Sequence, residues 1–287
     1  MRLHLVDGTF ELFRAHYSAR PPHRSPQGKE LKATVGVVQS LFALLKDPDE
    51  AVTHLAVAFD NPIVSFRNRL FSGYKSDEGI DALLKAQFDD VERAVAAAGI
   101  VVWRMVDFEA DDALATAAVR WAPEVDQVRV LTPDKDLGQV LDGERVVQVD
   151  RIRRRLLTER TLLEKWRIKP ESVPDFLALV GDVADGIPGL PGWGEKSASV
   201  VLASYGHLEA IPPQAHHWST RPRRSDALAD ALAAHRDEAM LYRTLASLRL
   251  DVPLAEPLDA LRWRGVGVEF SAWSDEVGAS IVPPPPR

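Results

Sequence analysis

Cysteine is absent from the 287 residues, which excludes disulfide bridges and thiolate zinc sites and suits a reducing compartment. Long apolar runs are absent too. The N-terminus passes directly into the strand-like LHLV with no basic region ahead of a hydrophobic stretch. Neither a signal peptide nor a membrane span is expected, no membrane partner follows, and the expected location is the cytoplasm. There is no internal repeat, and no excess of basic charge. The net charge of -7 by itself argues against a nucleic-acid partner. Local basic stretches are more informative than the total: Arg151, Arg153, Arg154 and Arg155; Lys165, Arg167 and Lys169; Arg221, Arg223 and Arg224. Each alone reads as a solvated surface.

What the chain does have is carboxylates at strand ends and helix starts. They are Asp7 in LHLVDG, Asp60 in LAVAFDN, Glu109, Asp111 and Asp112 in FEADDA, Asp134 and Asp136 in LTPDKDL, and Asp182 and Asp185 in GDVADGIPG. A carboxylate just past a buried strand lands at the mouth of an open α/β sheet, where ligands of such folds bind. Nine acids gathered there repel one another unless cations neutralise them. Hard divalent ions take oxygen ligands, and paired ions of this kind hydrolyse phosphodiesters. The residues themselves therefore point to a metal-dependent nuclease.

The length suits one large core, or a main domain with a smaller appendage. LHLVD, THLAVAFD, GIVVWRM, QVRVLTPD and RVVQVD read as short buried strands rich in Val and Leu. Between them, VGVVQSLFALLK, ALLKAQFDDVERAVAAAG and EADDALATAAVRWA read as helices, the last opening with acids that suit a helix N-terminus. Alternation of this kind implies a doubly wound, mostly parallel sheet. From Thr158 the strand signals stop. Short helices punctuated by Pro and Gly take over in TERTLLEKW, VPDFLALVGD, GLPGWGEKSASVVLASYG and DALADALAAHRDEAMLYRTLASL. Pro283 to Pro286 read as a mobile tail. The expected organisation is an α/β domain over 1–157, a helical module over 158–250 and an extension over 251–287.

Taken singly, Asp7-Gly8 and Asp60-Asn61 are ordinary turns. Glu109 and Asp112, three apart, share a helix face, but acids also suit a first helical turn for dipole reasons. Asp134 and Asp136 could sit in a plain polar loop. In GLPGWGEKSAS, Gly192 and Gly194 leave the backbone open ahead of a helix start, whose amides can grip a phosphate without reading bases, and Lys196 adds charge there. A simple helix–helix connection is the alternative.

The ordered series VDG, FD, GYK, FEADD, TPDKDL, GDVADGIPG and GWGEKSA closely resembles the bacterial 5′-3′ exonuclease and flap endonuclease family, which includes the N-terminal nuclease domain of DNA polymerase I. The match runs to about Leu250, and with no polymerase region following, the chain looks like a stand-alone member. The resemblance implies a PIN-like α/β domain and a helix–three-turn–helix module that holds duplex DNA. It assigns metal ligation to Asp7, Asp60, Glu109, Asp111, Asp112, Asp134, Asp136, Asp182 and Asp185, with two divalent cations, Mg²⁺ or Mn²⁺. It places Lys75 and Arg67 at the scissile phosphate, and Arg14, Gly192, Gly194, Lys196 and Ser197 against DNA, with a potassium ion at the hairpin.

Flap, nicked, gapped or 5′-ended duplex DNA is the implied substrate, and a monomer working beside a DNA polymerase and ligase is the implied setting. Two departures stand out. GYK runs into the acidic Ser76–Asp81 stretch, where relatives carry a basic residue and start an arch over the single strand. Gly138 replaces an aromatic that often follows DKDL. Exposed like charges cost about 1 kcal/mol or less per pair, so the first departure bears on substrate preference and not on metal chemistry. A branched-DNA binder with weakened cleavage and a PIN-type ribonuclease are the alternatives.

Overall fold

The computed structural model describes residues 1–286. In chain order its elements are β1 (Arg2–Asp7), α1 (Gly8–His16), α2 (Lys32–Lys46), β2 (His54–Asp60), α3 (Phe66–Leu70), α4 (Ala82–Lys85), α5 (Phe88–Ala97), β3 (Val101–Met105), α6 (Ala110–Trp121) and β4 (Gln127–Leu131). They continue as β5 (Val146–Asp150), β6 (Arg155–Leu157), α7 (Glu159–Trp166), α8 (Val173–Val180), α9 (Glu195–Tyr205), α10 (Ser225–Ala234), α11 (Arg236–Ala246) and α12 (Phe270–Val277). These fold as two compact units: one of 1–64, 77–132 and 250–287, the other of 65–76 and 133–249. In space the chain thus crosses between units more often than three consecutive segments would require.

In the first unit β1 pairs in parallel with β2 and β4, and β2 with β3. The reason is legible in residue type. Val, Leu, Ala and Phe fill β2, and all but its last residue are buried, so helices cover both of its faces, as parallel strands require. Helix α6 packs on all four strands, while α1, α2 and α5 pack in series. Gly8 begins α1 because a Cβ there would lie 2.5 Å from the Phe59 ring.

The expected helix over residues 82–99 is two: α4 ends at Lys85 and α5 begins at Phe88. Gln87 makes the break, its side-chain carbonyl accepting from the amides of Ala33 and Thr34, each at 3.1 Å, the free donors of α2's first turn.

The segment after Leu250 closes this unit. Trp263 donates to the Ala98 carbonyl at 3.0 Å, Val252 N–H to Thr116 Oγ1 at 3.2 Å, and the Phe270 ring packs tilted against Phe42. Contrary to the expectation of a mobile tail, Pro284 is buried and the Val282 carbonyl accepts from Lys46 Nζ at 2.9 Å. Proline has no amide donor to satisfy, so a Pro run packs against apolar surface at little polar cost.

Beneath β1 lies a polar cluster. His4 and Arg129 are register partners on β1 and β4, and both reach Glu50, at 3.0 and 2.8 Å. Burial pushes the His4 imidazole below its ordinary 6.5, against the opposing hydrogen bond that His4 donates to Glu50. The Glu50 carboxyl is held below its ordinary 4.5 by His4, and by Arg129 to a lesser degree. Below about pH 6.5 the unfolded chain takes up a proton at His4 that the fold resists, so stability falls with pH. Below about 4.5 the Glu50 contribution is lost as well, with the same sign. The melting temperature should therefore drop from pH 8 to 5, and more steeply in the wild type than in His4→Asn. Parallel curves for the two proteins would exclude His4 as a source of the slope.

The second unit is helical apart from the antiparallel pair β5–β6. Its core joins Trp166, Phe176, Leu177, Trp193, Val201, Leu202 and Trp218. The long expected helix over residues 226–248 breaks at His235 into α10 and α11. Buried Asp175 of α8 holds the packing: its carboxylate accepts from the Leu208 amide at 3.0 Å, from His207 Nδ1 at 2.9 Å and from Arg243 at 3.4 Å.

Candidate active site

The nine carboxylates fall into two sets, five in the first unit and four in the second. In the first unit they gather where β1 and β2 end and α6 begins. Asp7 caps α1 with one oxygen, accepting from the Phe10 amide at 2.8 Å, and accepts from Thr132 Oγ1 at 3.0 Å with the other. Asp60 accepts from the Ala110 amide at 2.7 Å, which ties the end of β2 to the first turn of α6. Glu109 caps α6, and its own amide donates to Asp112 at 3.0 Å. The spacing of three read from the sequence is a reciprocal helix cap, and it fixes two acids beside a third, Asp111.

The second unit holds the tighter set. One carboxylate oxygen from each of Asp136, Asp182 and Asp185 lies within 4.8 Å of the others, and all three residues are buried. The backbone places them by two devices. Asp134 starts the 3₁₀ turn Lys135–Val140 by accepting from the Asp136 amide at 2.9 Å. Asp182 and Ile187 exchange backbone hydrogen bonds of 2.8 Å, closing a loop that presents Asp185. That loop sits tightly on the GYK segment. Gly186, at φ +74, would put a Cβ 2.1 Å from the Gly73 carbonyl, so no other residue fits, and the Lys75 amide donates to the Asp185 carbonyl at 3.0 Å.

Burial raises the Asp134 carboxyl, and raises Asp136 well above the ordinary range, with the neighbouring acids adding repulsion. Two lysines offset part of that charge: Lys75 Nζ lies 2.9 Å from Asp185 and Lys135 Nζ 2.8 Å from Asp182. Asp136 Oδ1 is buried and accepts from no donor among the described residues. A buried carboxylate oxygen with no donor, among three more acids, is the environment a hard cation satisfies. The donor set fits a divalent ion.

The hairpin and the start of α9 form a separate surface of this unit. A cleft of about 590 Å³ is lined by Gly192, Gly194, Lys196 and Ser197, and from another segment by Pro222 and Arg223. Ser197 Oγ accepts from the Gly194 amide at 3.0 Å, fixing the turn.

Two residues stand differently from expectation. Arg67, expected at the scissile phosphate, is 1% exposed, and its guanidinium donates to the carbonyls of Leu245 and Ser247 at 2.7 and 2.9 Å. It binds the carbonyl end of α11, where cations and helix dipoles attract, and cannot meet a substrate from there. Arg14, expected against DNA, pairs with buried Glu11 and donates to Ser40 Oγ at 2.8 Å. The acidic stretch after Lys75 is also put to local use, since Asp77 pairs with Lys85 and Asp81 caps α4. Sequence reasoning missed Thr132 and Lys135, although both lie inside the TPDKDL motif it singled out.

Residues 2–167 match the sequence model of the 5'-3' exonuclease N-terminal resolvase-like domain, and residues 168–269 that of the 5'-3' exonuclease C-terminal SAM fold. The chain belongs to the 5'-3' exonuclease family. It is 32% identical over 210 residues to a 5'-3' exonuclease of Aquifex aeolicus, spanning 73% of this chain and 71% of that protein. It is 35% identical over 265 residues to DNA polymerase I of Rhizobium leguminosarum, covering 90% of this chain but 26% of the polymerase. The chain thus spans about a quarter of the polymerase relatives it matches.

The fold is shared with T5 5'-exonuclease solved with bound zinc, at TM-score 0.65 and 18% identity over 96% of this chain and 98% of that one. It is shared also with the catalytic core of Rad2 in complex with DNA substrate, at TM-score 0.61 and 15% identity over 96% and 88%. No described helix is long and apolar enough to cross a membrane.

Proposed function

We propose that this protein is a structure-specific 5′-3′ exonuclease and flap endonuclease that hydrolyses DNA phosphodiesters with Mg²⁺ or Mn²⁺. The observation that carries the reading is the buried triad Asp136, Asp182 and Asp185 with its unsatisfied oxygen, in a chain of this family. Asp134 belongs with that triad, and Asp7, Asp60, Glu109, Asp111 and Asp112 are the ligand set of the other unit. Divalent cations held there would lower the pKa of a bound water and take up charge on the leaving 3′-oxygen. The side chains do the rest. Lys75, held on Asp185, presents an ammonium to charge developing on the phosphoryl oxygens. Thr132 and the Phe10 amide hold the Asp7 carboxylate in one orientation.

The hairpin amide of Gly192 and the Lys196 ammonium hold the duplex through its phosphates, on a turn that Gly194 and Ser197 fix between themselves, and a potassium ion on the hairpin carbonyls suits that role. Arg223 lines the same cleft and replaces Arg14 as the more available cation. We further infer a cytoplasmic monomer acting beside a polymerase and a ligase, because flap removal leaves a nick that ligation must close.

Labelled flap, nicked, gapped and hairpin DNA, and matched RNA, test the reading. DNA cut near the 5′ end only with added Mg²⁺ or Mn²⁺ is the expected result. Binding without cleavage would favour a branched-DNA binder, and preferential cutting of RNA a ribonuclease. Lys196→Glu should weaken duplex binding regardless of sequence and lower the log–log salt slope by roughly one unit. Equal affinity and slope would make Lys196 a plain surface residue.

A further inference from the structure

A second cavity lies in the helical unit, away from the hairpin cleft. It measures about 140 Å³ and is bounded by residues of β5, β6, α7 and the Lys135–Val140 turn. Four cations line it, Lys135, Arg153, Arg155 and Lys165, against one carboxylate, Asp150. Two of the four are already neutralised, Lys135 by Asp182 at 2.8 Å and Arg153 by Asp150 at 3.0 Å. Neither Arg155 nor Lys165 has a carboxylate partner among the described residues. Lys165 Nζ instead sits 4.4 Å above the Trp166 ring.

Trp166 supplies an independent observation. It is 4% exposed, stacks on Phe176 and lines the same cavity, yet its indole N–H is buried with no acceptor among the described residues. An indole can only donate, and a buried donor left unmade is costly. The missing partner is therefore an acceptor. Two cations without a carboxylate partner line the same cavity, and they favour an acceptor that carries negative charge. Gly138 shapes the space: it lines the cavity, and a Cβ there would already press on Leu162 at 3.3 Å. A large side chain at 138 would crowd this wall.

We propose that this cavity is a binding site for a phosphate dianion, free or at the end of a monoester, held by Arg155, Lys165 and the Trp166 N–H. Phosphate offers several terminal oxygens, enough for a guanidinium, an ammonium and an indole donor together, and Arg is suited to phosphate by its planar fork. The site does not depend on the nuclease reading, and it uses none of the nine acids.

The test is calorimetric titration of the full-length protein in EDTA, so that no cation on the carboxylates can bridge a phosphate. The probes are inorganic phosphate, deoxythymidine 5′-monophosphate, thymidine and a 5′-phosphorylated single-stranded oligonucleotide. The phosphate-bearing probes should bind and thymidine should not. Arg155→Gln and Lys165→Gln, both at exposed positions, should each weaken binding by about tenfold. Trp166→Phe, which keeps the ring and removes the N–H, should weaken it too. Tightest binding by the oligonucleotide assigns the site to a nucleic-acid end, whereas equal affinities assign it to free phosphate. No binding at millimolar probe overturns the proposal. So does binding that survives the Arg155→Gln/Lys165→Gln double change, or that is lost in Lys196→Glu. Metal-dependent DNA cleavage, measured separately, reports on the nuclease reading alone.

Discussion

Asp136→Asn should lower turnover by about 10²-fold or more while leaving metal-free DNA binding within a few-fold of wild type. The size of the loss follows from deleting a ligand charge at a metal centre, where even supporting partners are worth 10–100-fold. A second effect has the opposite sign. Asp136 is buried among like charges and its carboxyl is pushed well above the ordinary range, chiefly by burial. Its ionised form therefore costs stability at neutral pH when no cation is present. Asn is nearly isosteric and carries no charge, so the metal-free melting temperature should stay level or rise, and the gain on adding Mn²⁺ should shrink. Thermal melts with and without Mn²⁺, alongside single-turnover cleavage, read both effects. A variant that cleaves within a few-fold of wild type would remove Asp136 from the metal set.

Lys75→Met should slow cleavage on every substrate by about 10²-fold, whether flap, nick or recessed end. Met keeps most of the stem that runs toward the Tyr74 ring and deletes the ammonium. The competing account makes Lys75 structural, a partner that relieves Asp185. That account predicts a lower melting temperature with turnover preserved. The catalytic account predicts a lower kcat with metal-free DNA affinity little changed. Loss confined to long flaps would point instead to a role in strand threading.

The strands were legible because parallel strands are buried on both faces and so read as runs of Val, Leu and Ala. Strand β6 was not: its Arg155 and Leu156 are exposed, and only pairing with β5 makes RLL a strand. Helix α1 was missed because its polar residues, Thr9, Glu11 and Arg14, blur the apolar stripe, while its cap, Asp7, reads from the sequence as a ligand or a turn and not as a helix start. The acids were legible as a set, since each follows a strand or opens a helix. The cations were less so. Nothing in FRNRL shows that Arg67 is buried, because its partners, the Leu245 and Ser247 carbonyls, lie about 180 residues away. Lys135, by contrast, could have been read from DKD: a cation between two acids of the set reaches a third, Asp182. The prolines after Val282 misled because composition reports what a segment can do alone, and not the surface that covers Pro284.

The central claim is that divalent cations on these carboxylates carry out the cleavage. Its most direct measurement is the single-turnover rate on a 5′-labelled flap duplex as Mn²⁺ is added back to protein stripped with EDTA. The account predicts no cleavage in EDTA, a rise to saturation with metal, and short products from the 5′ end. Cleavage at the same rate in EDTA, or none at any Mn²⁺ or Mg²⁺ concentration despite intact DNA binding, would contradict it.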